Sequence, residues 1–153
     1  MKLFKKSKEL YSPLEGDYVA IKDIPDQVFS EKMMGDGFAI NPKSGQVHSP
    51  VDGEVVLVFD TGHAIGLKTK DNIEILIHFG IDTVKLNGEG FDVKVKEGMK
   101  VKKGDILMNV DLEDIRDKVP SLITPIIITS GQGFELDFKK SYSVGEKVLT
   151  FVG

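Results

Sequence analysis

His63 and His78 stand fifteen residues apart, one on each side of an expected β-hairpin. Two imidazoles held side by side can handle a phosphoryl group, a metal ion or a proton. A neutral ring nitrogen is a good nucleophile toward phosphorus, and the phosphoramidate it forms can pass the group on. A neighbouring imidazole can donate a hydrogen bond to the phosphoryl oxygens and stabilise their charge. Thr61, two residues before His63, is placed to orient one of its ring nitrogens. His48 precedes a Ser-Pro step and reads as a surface histidine.

The pair depends on the elements that carry it. Residues 61–69 and 72–79 are rich in β-branched and apolar side chains, with Lys70 and Asp71 between them. A two-residue loop at Lys70-Asp71 pairs Thr69 with Asn72 and sets His63 directly opposite His78, with Cβ atoms about 5 Å apart. A loop at Asp71-Asn72 keeps both rings on one face. A three-residue loop would place them on opposite faces. Gly62, Gly66 and Gly80 leave room for another backbone or a ligand to approach.

Bulk properties narrow the classes. A chain of 153 residues with 41% hydrophobic residues reads as one globular domain. The formal net charge of −4 gives no basic field for nucleic acid. With no cysteine, disulfides, zinc-thiolate sites and cysteine nucleophiles are excluded. No apolar run is long enough to span a membrane and no signal-peptide core follows the first lysines, so a cytoplasmic protein is expected.

Residues 1–11 read as a flexible basic arm carrying Lys2, Lys5, Lys6 and Lys8, with at most weak membrane contact. Residues 12–153 read as a single domain of short strands punctuated by Gly, Pro and Asp. Two short helices are expected, at 26–33 behind an Asp26 cap and at 112–119 behind an Asp111 cap. Two repeated units are visible. Ser12-Pro-Leu-Glu-Gly16 matches Ser49-Pro-Val-Asp-Gly53, with a weaker echo at Thr124-Pro125. The stretch 97–107 matches 143–149. The expectation is an all-β fold, an antiparallel β-sandwich or flattened barrel with a duplicated motif and a few short helical turns.

Several segments together resemble the glucose-type enzyme IIA domain of the bacterial phosphoenolpyruvate-dependent sugar phosphotransferase system. They are Gly35-Asp-Gly-Phe-Ala-Ile40, Ser49-Pro-Val-Asp-Gly53, Phe59-Asp-Thr-Gly-His-Ala64 and Ile77-His-Phe-Gly-Ile-Asp-Thr-Val84, extended by 86–91 and 101–105. The resemblance implies that His78 is the phosphorylated histidine, His63 its companion and Thr61 the support of that companion. It implies an apolar partner surface at Val28, Phe29, Met33, Met34, Phe59, Leu76 and Val84, with acidic contacts at Asp26 and Asp82. Met33 and Met34 depart from the branched aliphatics expected there. The implied donor is phosphorylated HPr and the implied acceptor a cysteine on the IIB domain of a sugar permease, which must lie on another polypeptide. The chain is therefore expected to be a free-standing shuttle that needs no cofactor, with further regulatory partners on the same patch.

The rival reading is a zinc-dependent hydrolase, since the duplicated motif also resembles lysostaphin-type peptidases. Zinc needs a third protein ligand, from His48 or an Asp, beside His63 and His78. The His-x-His element of those peptidases is absent. An adventitious or interface zinc on the histidine pair is a lesser form of the same idea.

Overall fold

The computed structural model describes residues 8–152. Seven strands occupy the first half: β1 (Glu9–Tyr11), β2 (Gly16–Ala20), β3 (Asp36–Pro42), β4 (Gln46–His48), β5 (Gly53–Val58), β6 (Ala64–Lys68) and β7 (Glu74–His78). Seven more follow: β8 (Phe91–Val93), β9 (Lys100–Val101), β10 (Ile106–Val110), β11 (Thr124–Ile128), β12 (Phe134–Leu136), β13 (Ser141–Tyr142) and β14 (Lys147–Phe151). All strand pairs are antiparallel. One eight-stranded sheet runs β13-β2-β3-β11-β7-β6-β5-β9, and two three-stranded sheets run β1-β14-β12 and β4-β10-β8. The all-β sandwich expected from the sequence is the fold observed.

The duplication has a hydrogen-bond basis. Ser12 Oγ donates to Leu14 O, and Ser49 Oγ to Val51 O, both at 2.7 Å. Ser12 N–H donates to Glu146 O as Ser49 N–H donates to Asp105 O, and the N–H groups of Gly145 and Gly104 return to Ser12 O and Ser49 O. The two repeated units are thus partners, a Ser-Pro corner held by a Gly-acid turn. The copies also interlock, because Tyr11 N–H donates to Pro50 O and His48 N–H to Pro13 O. Thr124 does not repeat this corner. Its hydroxyl bonds backward to Leu122 O at 2.9 Å.

The folded unit reaches past the expected boundary at Ser12. Leu10 pairs with Leu149 and is fully buried, and Phe151 N–H donates to Lys8 O. Leu10 therefore belongs to the core and not to the arm. The rest of that arm, residues 1–7, lies outside the described residues.

The two short helices are trimmed relative to expectation. α1 covers Gln27–Ser30, capped by Asp26, whose Oδ1 accepts from Val28 N–H at 2.8 Å. It stops because Lys32 turns left-handed at φ 60°, with Lys32 N–H on Phe29 O and Met33 N–H on Val28 O. That pair of bonds is a Schellman termination with lysine where glycine is usual. α2 covers Leu112–Ile115, capped by Asp111, and tightens into a 3₁₀ turn over Arg116–Lys118. Among the described residues no helix is long and apolar enough to cross a membrane.

Core packing divides at the large sheet. On the inner face Phe38, Ile40, Ile65, Leu67, Ile75, Ile77 and Ile126 join the main core, each at most 1% exposed. Burying each such side chain contributes about 1.5–3 kcal/mol. Alternation sends Ala39, Ala64, Leu76 and Ile127 to the outer face, where they meet Ile21, Ile24, Phe29 and Ile81. This second cluster, covered by α1, is the face on which His78 emerges.

Candidate functional site

The hairpin does not have the expected register. Ala64, and not His63, pairs with His78, and Lys68 pairs with Glu74. The connection is a three-residue loop, closed by Thr69 N–H on Ile73 O and Asn72 N–H on Thr69 O. Asn72 takes the left-handed conformation at φ 64°, which asparagine tolerates, and so belongs to the loop. Such a loop would send the two rings to opposite faces if both residues lay within the strands. They nevertheless meet, with ring centroids 4.9 Å apart and planes at 78°.

The reason is that His63 lies outside β6. A turn over residues 59–62 precedes it, with Gly62 N–H on Phe59 O and Gly62 at φ 75°. A Cβ on Gly62 would press on Val93 Cγ2 at 3.0 Å, so the turn needs glycine. The turn breaks the strand alternation and lets the His63 ring lie beside His78. Ala64, directly opposite His78, is too small to fill that space.

Each ring is held at Nδ1. His78 Nδ1 lies 2.9 Å from Gly80 O, and a carbonyl can only accept. His78 therefore carries its proton on Nδ1, and Nε2 keeps a free lone pair. His63 Nδ1 lies 2.5 Å from Thr61 Oγ1. Phe59 meets the His63 ring edge-on at 5.1 Å, and Phe29 supports the His78 ring at 5.1 Å. His63 is buried at 2% exposure, whereas His78 is half-buried.

Burial pushes His63 from its ordinary 6.5 down to about 4, and repulsion from a charged His78 adds to this. His78 is also lowered by burial, opposed by its Gly80 bond and by the charges of Asp26 and Asp82. Both shifts favour the neutral rings at neutral pH. In the unfolded chain each protonates near its ordinary value, so the unfolded state takes up more protons as pH falls. The stability these groups contribute is complete above about 6.5 and is lost as pH falls toward the lowered values. We expect the urea midpoint to fall between pH 7 and 5, and to fall less in His63→Gln. Equal slopes for the two proteins would show that His63 does not resist protonation.

The residues that the resemblance implies as a partner surface separate by exposure. Val28, Met33, Met34, Phe59 and Val84 are exposed, between 37% and 69%. Phe29 and Leu76, each 5% exposed, lie beneath the surface in the outer cluster and cannot serve as contact residues. Asp82 is exposed at the start of a 3₁₀ turn over Thr83–Leu86, with a long contact to Lys85 at 3.9 Å. His48 is remote in role, its nitrogens bonding Gly104 O and Gln46 Oε1. Among the described residues no three His, Cys, Asp or Glu side chains come together to hold a metal. The third ligand that the zinc hydrolase reading needs is therefore missing, and that reading is not supported. A cavity of about 960 Å³ opens beside the 69–73 loop, at the other end of the hairpin, and includes neither histidine of the pair.

Sequence reasoning missed Thr83 and Thr124. Both are fully buried and both bond the backbone around Gly80. The available signal existed only for Thr124, a threonine opening the otherwise apolar strand β11.

A β-sandwich presenting two neutral histidines at the end of a hairpin is the arrangement of a phosphotransfer component. The family described as phosphoenolpyruvate-dependent sugar phosphotransferase system, EIIA 1, matches residues 8–134. Glucose permease IIA from Mycoplasma capricolum is similar in structure, with a TM-score of 0.88 and 42% identity, covering 97% of this chain and 98% of that one. The chain belongs to this enzyme IIA family. It is a phosphocarrier in sugar phosphotransfer, and its class works with HPr and with sugar permease IIB components.

Proposed function

We propose that His78 Nε2 accepts the phosphoryl group from phosphorylated HPr and passes it to the IIB domain of a sugar permease. The observation that carries this reading is the His78 Nδ1 bond to Gly80 O, which leaves Nε2 bare on a half-buried ring beside His63. The Nε2–P bond forms as the bond from phosphorus to the donor breaks. The proton stays on Nδ1, donated to the Gly80 carbonyl throughout. With the Thr61 hydroxyl donating to Nδ1, His63 holds its proton on Nε2 and offers it to the phosphoryl oxygens. No metal or cofactor enters these steps.

Incubation with phosphoenolpyruvate, enzyme I and HPr should add one acid-labile phosphoryl group, read by mass spectrometry. A protein that stays unmodified would refute the assignment.

Donor and acceptor use the same apolar rim of Val28, Met33, Met34, Phe59 and Val84 and so compete for it. Flexible thioethers suit a surface that meets more than one partner, regulatory proteins included. The contacts are short-lived and the interface is at the small end of the range. The protein works in the cytoplasm, within reach of the permease. Asp82 and Asp26 face a basic rim on HPr and set the encounter rate. Asp82→Lys should slow association at low ionic strength and flatten its salt dependence in stopped-flow measurements. Association as fast as that of the parent protein at low salt would remove Asp82 from the encounter.

A further inference from the structure

His78 is oriented by the Gly80 carbonyl, so the groups that hold that carbonyl reach the reacting nitrogen. The peptide joining Phe79 to Gly80 is tied at both ends by buried hydroxyls. Thr83 Oγ1 donates to Phe79 O at 2.6 Å, and Gly80 N–H donates to Thr124 Oγ1 at 3.2 Å. The single hydroxyl proton of Thr124 goes to Leu122 O at 2.9 Å, which leaves its lone pairs for Gly80. Both threonines are 0% exposed. The next peptide, from Gly80 to Ile81, is held by Ile81 N–H on Ser121 O at 3.0 Å, and its carbonyl accepts the hydrogen bond from His78 Nδ1–H. Gly80 sits at φ 70°, and a Cβ there would lie 2.7 Å from Thr83 Cγ2.

We infer that Thr124 is a positioning residue: its hydroxyl, through Gly80 N–H, aims the Gly80 carbonyl at His78 and so selects the ring tautomer with Nε2 free. This rests on reading His78 as the phosphoryl acceptor. Glycine alone does not hold a peptide plane, because its φ and ψ are the least restricted of any residue. Without the tether only the Ile81–Ser121 and Thr83–Phe79 bonds hold this corner, rotation about the Gly80 φ and ψ loosens the aim of the carbonyl at Nδ1, and part of the ring proton redistributes toward Nε2. That blocks the nucleophile without removing it. A valine at position 124 would fill the same space in β11, so packing alone does not call for a buried hydroxyl there.

Thr124→Val keeps the volume and leaves Gly80 N–H unpaired. Imidazole nitrogen NMR of the unphosphorylated protein should show His78 moving from the Nδ1–H form to a mixture. Transfer from phosphorylated HPr should slow by about tenfold or more, since small misplacements of reacting groups cost up to about 10² in rate. Thr124→Ser should restore both tautomer and rate. Circular dichroism checks the fold, and if Thr124→Val does not fold, Thr83→Val releases the other end of the same peptide and should give the same tautomer shift. A folded Thr124→Val with the parent tautomer overturns the inference, as does a serine variant that fails to restore it. A shifted tautomer with an unchanged transfer rate would uphold Thr124 as positioning His78 and instead refute His78 as the acceptor.

Discussion

His78→Ala should take up no phosphoryl group at all, at any concentration of phosphorylated HPr. The substitution removes the one nitrogen in the site whose lone pair is left free by its ring's own hydrogen bond. His63 cannot stand in for it, because its ring is buried and its Nδ1 is engaged by Thr61. The fold should survive. His78 ends β7, its pairing with Ala64 is through the backbone, and the ring is half-buried. The main loss is its packing on Phe29. Phosphopeptide mapping under alkaline conditions, which preserve phosphohistidine, reads the outcome beside circular dichroism. His48→Ala should label normally, since its nitrogens are committed to Gly104 and Gln46. Label on the peptide carrying His63, with the His78 peptide unlabelled in the parent protein, would reverse the two roles.

The duplicated architecture was legible because its cause is local. A Ser-Pro corner needs a hydroxyl and a rigid φ, a Gly-acid turn needs a left-handed residue, and both recur as residue types. The histidine pair was legible from spacing, but for a partly mistaken reason. A one-residue change in register depended on Asn72 adopting a left-handed conformation, which a residue at the head of an alternating strand does not announce. The compensating turn at Gly62 was equally hidden, because its effect is to rotate a neighbour out of the strand pattern. The burial of His63 follows from that turn and from the Phe59 ring above it. Phe29 and Leu76 look like surface candidates in sequence. Only the second cluster, created by α1 folding over the outer face, shows them as supports. Leu10 was lost to the arm because a three-residue strand has no periodicity to read. Thr83 and Thr124 were missed because their partners are backbone atoms distant in sequence.

His63→Gln should separate taking the phosphoryl group from giving it away. The buried His63 ring has its protonation pushed down to about pH 4, so in the resting protein it is neutral, and in the proposed transfer it serves as a donor. Glutamine keeps a side-chain N–H, and nucleophilic attack by His78 Nε2 does not pass through position 63. Acceptance should therefore persist. A dianionic phosphoryl group on His78 changes what is asked of the companion. An adjacent negative charge favours protonated imidazole, so His63 can gain positive charge as the phosphoryl group arrives and hold it while the group departs. Asp26 and Asp82 add negative charge near His78, which makes that compensation matter more. An amide can donate hydrogen bonds but cannot become charged. Losing one such charge-stabilising group typically costs about 10²–10³ in rate. The transfer from His78 to IIB should slow by that order, so phosphorylated His63→Gln accumulates. Rapid-quench kinetics of the two half-reactions, measured separately, give the comparison. Equal slowing of both steps would make His63 a general structural support of the site. Parent rates in both would remove it from the reaction.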